Sequence, residues 1–160
     1  MTIKVGERIP SATLQRKTAD GIQSVSTDEF FKGRKVVLFA VPGAFTPTCS
    51  AKHLPGFVKN ADAIRGKGID EVACVAVNDA FVMDAWGRDQ NTDGKVTMLA
   101  DGSAKFAKAL GLDLDLMERG LGVRSQRYAM VVEDGVVKLL NVEEAGAFDK
   151  SSAETVLASL

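Results

Sequence analysis

Cys49 stands three residues after Thr46 and two after Pro47 in the stretch Val41–Ser50, VPGAFTPTCS, a spacing that suits a reactive thiol. If Thr46 is the N-cap of a helix, Pro47 takes the first helical position and Cys49 the third. Free backbone N–H groups and the positive end of the helix dipole then face the sulfur. That setting favours thiolate over thiol, and the thiolate is the nucleophile. A cysteine of ordinary pKa, about 8.5, is only about 3% thiolate at pH 7, whereas one lowered to about 6 is about 90% thiolate. The gain is about thirty-fold, or about 2 kcal/mol. Enzymes accelerate their reactions by at least about a million-fold. Groups that orient the substrate and stabilise developing charge must therefore supply the rest. A lone cysteine is otherwise a small core hydrophobe, and an N-cap threonine needs no catalytic role. The Thr-x-x-Cys spacing at a helix start is what separates Cys49 from that background.

A fixed cation would complete such a site, and arginine suits because it stays charged and donates in a fork. Gly122–Tyr128, GVRSQRY, offers Arg124 and Arg127 beside the start of a predicted strand, and spacing alone does not choose between them. Most arginines are surface side chains. His53, the only histidine, follows Cys49 by four residues and can share a helix face with it. A Cys–His hydrolase is the chemistry that pair suggests. Neighbouring helical positions make poor nucleophile–base geometry, however, and no third orienting group is evident. Cys49, Cys74 and His53 lack zinc-site spacing and leave a four-ligand shell incomplete, so no metal site is expected. Cys74 lies in the apolar row Val72-Ala73-Cys74-Val75-Ala76, where burial and inertness are expected.

The elements around Cys49 follow from apolar periodicity. Val36–Val41 reads as a buried strand, and Ser50–Lys67 as an amphipathic helix with Leu54, Phe57, Val58, Ala61 and Ile64 on one face and a kink near Gly56. Residues 1–25 contain a small hairpin about Ala19-Asp20-Gly21. A capping box of Ser26 and Glu29 opens a short helix ending near Gly33. Glu71–Val77 is a strand buried on both faces. Asn78 or Asp79 caps a helix over Ala80–Arg88, followed by a strand Val96–Ala100 and a helix Lys105–Leu110. Leu112, Leu114 and Leu116 alternate with Asp113 and Asp115 as in a strand, inside an irregular stretch 111–125. Asp134-Gly135 joins two strands as a hairpin. A second capping box, Ser151 with Glu154, opens a C-terminal helix. The order βαβαβ, hairpin, helix implies an α/β fold, with a mixed central sheet, helices on both faces and an N-terminal hairpin extension. No repeat, low-complexity tract or linker divides residues 1–160, which read as a single domain.

The eight residues Pro42-Gly43-Ala44-Phe45-Thr46-Pro47-Thr48-Cys49 resemble the active-site signature of the peroxiredoxins, thiol peroxidases on a thioredoxin-like fold. The resemblance runs from Val5–Pro10, VGERIP, to Ser151–Glu154, SSAE. It includes HLPGF at 53–57, VNDAFV at 77–82, AWGR at 85–88 and LADG at 99–102. These segments are similar to the type II subclass, related to the animal fifth peroxiredoxin and to plant and bacterial type II enzymes. The resemblance implies a catalytic set of Pro42, Thr46, Cys49 and Arg127. Pro42 would shield the thiolate, and Thr46 would hold the peroxide through its hydroxyl. Cys49 would attack the terminal peroxide oxygen and become a sulfenic acid. Arg127 would support the developing charge, because the subclass arginine stands immediately before the aromatic that opens the strand, here Tyr128. Arg124 is then left as a surface side chain, and Arg88 is a candidate second arginine near the site. The family carries a histidine at the His53 position without using it as a general base.

Animal members also have a resolving cysteine near the C-terminus, and Phe148–Leu160 contains none. The resemblance therefore implies a one-cysteine mechanism with Cys74 structural. An external thiol, glutathione with glutaredoxin or else thioredoxin, would regenerate the enzyme. Hydrogen peroxide and small alkyl hydroperoxides are the implied substrates, antioxidant defence the implied role, and a homodimer the implied assembly, with Phe45 suited to an interface. No metal, flavin or haem is implied.

Composition agrees with a globular catalyst. The 160 residues are 46% hydrophobic and 26% charged, enough for one core without disulfide staples. A formal net charge of −1 gives no electrostatic footprint for nucleic acid or an anionic membrane. Met1–Glu7 lacks the apolar core of a signal peptide. Val36–Ala51 is interrupted by Pro42, Gly43 and Pro47, so it does not read as a membrane span. Two cysteines are too few for a secreted disulfide framework, and a reduced, cytoplasmic setting is expected. Two other functions compete. A thioredoxin-type thiol–disulfide oxidoreductase would need a Cys-x-x-Cys pair, for which Thr46-Pro47-Thr48-Cys49 stands here. A redox-sensing binding module would use oxidised Cys49 to engage a partner without rapid turnover.

Overall fold

Apolar runs with no polar alternation belong to strands covered on both sides, and the runs before and after the Cys49 segment occupy the middle of one sheet. The computed structural model describes all 160 residues. The chain begins with a hairpin, β1 (Thr13–Thr18) and β2 (Gly21–Ser26), and continues through α1 (Thr27–Phe31) into β3 (Lys35–Ala40). A π-helical turn at Cys49–His53 runs directly into α2 (Leu54–Arg65). Next come β4 (Glu71–Ala76), α3 (Ala80–Asp89), β5 (Thr97–Ala100) and α4 (Lys105–Leu110). A small hairpin, β6 (Asp113–Leu116) and β7 (Gly122–Ser125), precedes β8 (Tyr128–Glu133), β9 (Val136–Val142) and α5 (Ala153–Ala158).

Seven strands form a sheet of order β2-β1-β5-β4-β3-β8-β9. Its centre, β5-β4-β3, is parallel, and the flanking strands are antiparallel, with Leu38 opposite Ala73 on one side and Met130 on the other. Alternate residues of β3 serve two cores. Val37 and Phe39 pack with Leu54, Phe57 and Ile64 of α2, Met83 and Trp86 of α3 and Val156 of α5. Val36, Leu38 and Ala40 pack with Phe31 of α1 and Phe106 and Leu110 of α4. This is the α/β arrangement expected, with helices on both faces and the N-terminal hairpin at one edge. The sheet and both cores draw on the chain from Ile3 to Val156.

Two local expectations are corrected, at Ser26 and Ser151, and two left open are resolved, at Asp79 and residues 112–116. Ser26 precedes α1 but makes no side-chain cap. Thr27 is the engaged residue: its hydroxyl donates to Pro10 O at 2.9 Å and accepts from Ala12 N–H at 2.9 Å, tying α1 to the segment that leads into β1. The C-terminal helix is capped by Ser152, not Ser151, with Ser152 Oγ accepting from Thr155 N–H at 3.2 Å. Asp79 rather than Asn78 caps α3, accepting from Val82 N–H at 2.8 Å. The Leu/Asp alternation at 112–116 is a strand, paired with β7 outside the main sheet.

Candidate active site

The irregularity expected near Gly56 lies one turn earlier, and it shapes the site. Pro55 has no N–H to give to the carbonyl four residues back, and its ring crowds that carbonyl. The backbone widens there: Leu54 N–H bonds the carbonyl of Cys49, five residues before it. The first turn nevertheless begins as the sequence predicts. Ser50 N–H donates to Thr46 O at 2.9 Å, placing Pro47, Thr48 and Cys49 at the helix start. Thr46 caps with its backbone only. Its hydroxyl donates to Gly43 O at 2.6 Å, which closes the Pro42–Thr46 loop and leaves the oxygen lone pairs unengaged. Phe45, at the loop tip, has φ 64° and is 53% exposed. A left-handed aromatic is an uncommon, strained conformation, and here Ala44 N–H is fixed by Asn78 Oδ1 at 2.9 Å.

Cys49 is fully buried, and its sulfur has a charged neighbour. Arg127 Nη2 donates to Cys49 Sγ at 3.0 Å, while Nη1 of the same guanidinium stands 2.8 Å from His53 Nδ1. His53 Nε2 lies 2.9 Å from Ser151 O, an atom that can only accept. The imidazole must therefore carry its proton on Nε2, leaving the Nδ1 lone pair to receive Arg127. Burial, reinforced by the Arg127 charge and opposed by the Ser151 hydrogen bond and Glu143, lowers the His53 pKa to about 3. His53 is thus a neutral acceptor and not a general base. None of the ion pairs in the protein involves Arg127, so no carboxylate stands at ion-pair distance from its guanidinium. The Phe148 ring lies 5.8 Å from Arg127 Cζ, within cation–π reach.

Pro42, Thr46, Cys49 and Arg127 come from three places in the fold: Arg127 touches Cys49 Sγ directly, and Thr46 is joined to the Cys49 turn through its carbonyl. The loop supplies the first two, the helix start the third, and the residue preceding β8 the fourth. Arg88 does not join them: it pairs with Asp84 at 3.1 Å, is 74% exposed, and lines a separate cleft of about 640 Å³ with Lys17, Arg65 and Lys95. Cys74 lies fully buried inside β4, opposite Phe39 of β3 and Met98 of β5. Burial pushes its thiol well above the usual cysteine value, and the neighbouring Cys49 acts in the same direction.

The redoxin family pattern matches residues 4–157. Peroxiredoxin-2E, chloroplastic, of Arabidopsis thaliana is 52% identical over 164 residues, spanning 99% of this chain and 70% of the relative. Peroxiredoxin-2B of the same plant is 46% identical over 159 residues, spanning 99% and 98%. The crystal structure of reduced Prx3 of Vibrio vulnificus in complex with H2O2 superposes with a TM-score of 0.96 at 54% identity, covering 99% of each chain. This chain belongs to the redoxin family, as a type II peroxiredoxin.

Three residues of this peroxiredoxin's site were not legible as functional. Arg124, expected on the surface, is half-buried over the loop. Its Nη1 donates to Pro42 O at 3.4 Å and its Nε to Leu121 O at 2.8 Å. Ser50 accepts from Trp86 Nε1 at 3.0 Å and so ties the helix start to α3. His53 holds Arg127. Its place four residues after Cys49 was visible, but its partner lies 74 residues away.

Proposed function

We propose that Cys49 is the peroxidatic residue of a thiol-dependent peroxidase that reduces hydrogen peroxide and small alkyl hydroperoxides. The observation carrying this reading is the hydrogen bond from Arg127 Nη2 to Cys49 Sγ at 3.0 Å, made by a guanidinium already fixed on its other side by His53. The Cys49 thiolate attacks the terminal oxygen of the peroxide. The S–O bond forms as the O–O bond breaks, and the departing oxygen takes a proton and leaves as water or an alcohol. Sulfur is oxidised by two electrons to the sulfenic acid and the peroxide is reduced. Arg127 steadies the charge on sulfur and on the departing oxygen. The Thr46 hydroxyl has its proton committed to Gly43 O, so its oxygen is free to accept from the peroxide O–H and orient it. Pro42 walls the same position and, lacking an N–H, presents only its carbonyl, which Arg124 engages.

Regeneration by an external thiol belongs to the same proposal, with Cys74 structural. The placement of Cys74 inside β4 and its raised pKa favour this reading, because a protonated thiol within a sheet is a poor nucleophile. An external thiol attacks the sulfenic sulfur and releases water. A second thiol then opens the mixed disulfide, returning Cys49 and leaving the reductant oxidised. Glutathione with glutaredoxin, or thioredoxin, are the reductants proposed, in the cytoplasm and without metal or prosthetic group. A homodimer is proposed too, supported by the exposed Phe45 and Phe81 and checked by sedimentation.

The deciding experiment is intact mass after one equivalent of hydrogen peroxide, with a sulfenic-acid trap and no reductant. One trap adduct on Cys49, with Cys74 still alkylatable, is expected. Loss of both thiols without an adduct would give Cys74 a redox role and reject the one-cysteine mechanism. No modification of Cys49 would reject the peroxidase reading itself. A folded Cys74→Ser variant is expected to keep turnover with at least one of these reductants.

A further inference from the structure

Arg127 is held by His53, and His53 by a main-chain carbonyl, so what fixes that carbonyl also fixes the guanidinium. The carbonyl belongs to Ser151, buried at the end of the loop that joins β9 to α5. One carboxylate oxygen organises that loop. Glu143 Oε2 accepts from Asp149 N–H at 2.6 Å, from Ser151 N–H at 2.9 Å and from Ser151 Oγ at 2.7 Å. Glu143 is itself registered on the arginine, since its N–H donates to Arg127 O at 2.9 Å. The loop also packs against the site: the Phe148 ring lies 5.0 Å from the His53 imidazole and 5.8 Å from Arg127 Cζ. Asn141 Nδ2 adds a bond to Lys150 O at 3.0 Å.

We propose that Glu143 is a positioning residue for the peroxidase reaction: by fixing Ser151, it locks His53 in the Nε2–H tautomer and thereby aims Arg127 at Cys49 Sγ. The inference rests on the reading of Cys49 and Arg127 given above. Its logic is that of a partner that orients the ligand it binds. A carboxylate accepting three hydrogen bonds is a stiff anchor, and charge-assisted bonds are stronger than neutral ones. Burial works against the Glu143 charge, but the bonds from Ser151, Asp149 and Lys150 outweigh it and hold the carboxyl below the usual range. The anchor is therefore ionised at neutral pH. Without it, Ser151 O is no longer fixed and the imidazole can exchange its proton between Nε2 and Nδ1. A proton on Nδ1 would face a guanidinium that also only donates, and Arg127 would turn away.

The protein contains a single histidine, which makes the tautomer directly observable. In the reduced protein labelled with nitrogen-15 histidine, the wild type is expected to show one imidazole with Nε2 protonated and Nδ1 unprotonated and hydrogen-bonded. In Glu143→Ala, both nitrogen signals are expected to move toward the averaged values of a free imidazole, and oxidation of Cys49 by hydrogen peroxide to slow by at least about ten-fold. A folded Glu143→Ala variant with unchanged His53 signals, or with displaced signals but a wild-type rate, overturns the proposal. If Glu143→Ala does not fold, Glu143→Gln carries the test. It keeps the side-chain volume with a weaker acceptor, so displaced signals and slower oxidation support the proposal, and wild-type signals or rate overturn it. The tautomer is read in reduced protein without peroxide. A wild type whose Cys49 does not react would therefore sink the peroxidase reading while leaving the link from Glu143 to His53 separately measured.

Discussion

The guanidinium of Arg127 donates to His53 Nδ1 at 2.8 Å, and the direction of that bond fixes the charge of the imidazole. A proton on Nδ1 would turn the contact into donor against donor. Burial and the arginine charge lower the His53 pKa to about 3, whereas an unfolded histidine has a pKa of about 6.5. Between those values the unfolded chain binds a proton that the folded chain does not, so stability rises with pH through this window. The contribution is complete above about 6.5 and is lost as pH falls toward 3. From pH 7 to 5, His53 should remove about 2 kcal/mol of folding stability. Urea unfolding of the wild type and His53→Gln at both pH values measures it. The variant should be less stable at pH 7 but lose about 2 kcal/mol less on acidification. Equal losses in the two proteins would mean that His53 does not stay neutral.

Arg127 does two jobs with one group, and its variants should separate them. Arg127→Ala removes the donor at Cys49 Sγ and strands the buried His53 Nδ1. Losing a preorganised charged donor should slow Cys49 oxidation by about 10²–10³-fold. The orphaned acceptor should cost about 1–3 kcal/mol of stability. Arg127→Lys keeps the charge but puts its donors on one nitrogen in place of the planar fork, so it cannot reproduce the two-nitrogen contact with sulfur and imidazole. Its oxidation rate should fall between wild type and Arg127→Ala. Stopped-flow oxidation with a thermal melt gives both numbers, and an alanine variant within about three-fold of wild type would remove Arg127 from the mechanism.

Trp86 should report on the reaction. It is the only tryptophan, it is fully buried, and its Nε1 donates to Ser50 Oγ beside Cys49. An oxygen added to a sulfur with no exposed surface must move its neighbours, since interiors are close-packed. One equivalent of hydrogen peroxide should therefore change Trp86 emission at the rate of sulfenic-acid formation, and the change should vanish in Cys49→Ser. A change that persists in Cys49→Ser would locate the oxidation elsewhere.

How much of this was legible in the sequence follows the range of each interaction. The Thr46–Cys49 helix start, the doubly buried β3 and β4, and the Asp134-Gly135 turn depend on residues within a few positions, and each stands where periodicity or turn chemistry puts it. The two capping boxes failed differently. Ser26 keeps the N-cap position without a side-chain bond, while the neighbouring Thr27 hydroxyl is engaged with Pro10 and Ala12 in the segment leading into β1. Ser152 displaced Ser151 because Glu143 and His53 had claimed Ser151. The expected kink near Gly56 had its cause one residue earlier, in Pro55. His53 and Arg124 act through partners 74 and 82 residues away, and no local pattern encodes such distances. Only the resemblance selected Arg127 over Arg124, and it did not reveal that Arg124 braces the loop.

That brace yields a sharper test than deleting it. A Cβ on Gly43 would meet Arg124 Nη1 at 2.8 Å and Thr46 Cγ2 at 3.2 Å. Nη1 is the far end of a flexible side chain, so Arg124 should swing off Pro42 O before the backbone moves. Thr46 is less free, because its hydroxyl is bonded to Gly43 O at 2.6 Å. Gly43→Ala should therefore slow Cys49 oxidation through two separable effects, loss of the Arg124 brace and displacement of Thr46. Arg124→Ala alone should reproduce the first. A double-mutant cycle isolates the coupling: Gly43→Ala should slow the reaction less in the Arg124→Ala background than in wild type. The remaining effect measures Thr46. If the two effects simply multiply, Arg124 does not act on the loop through this contact, and the bond to Pro42 O is incidental to the peroxide site.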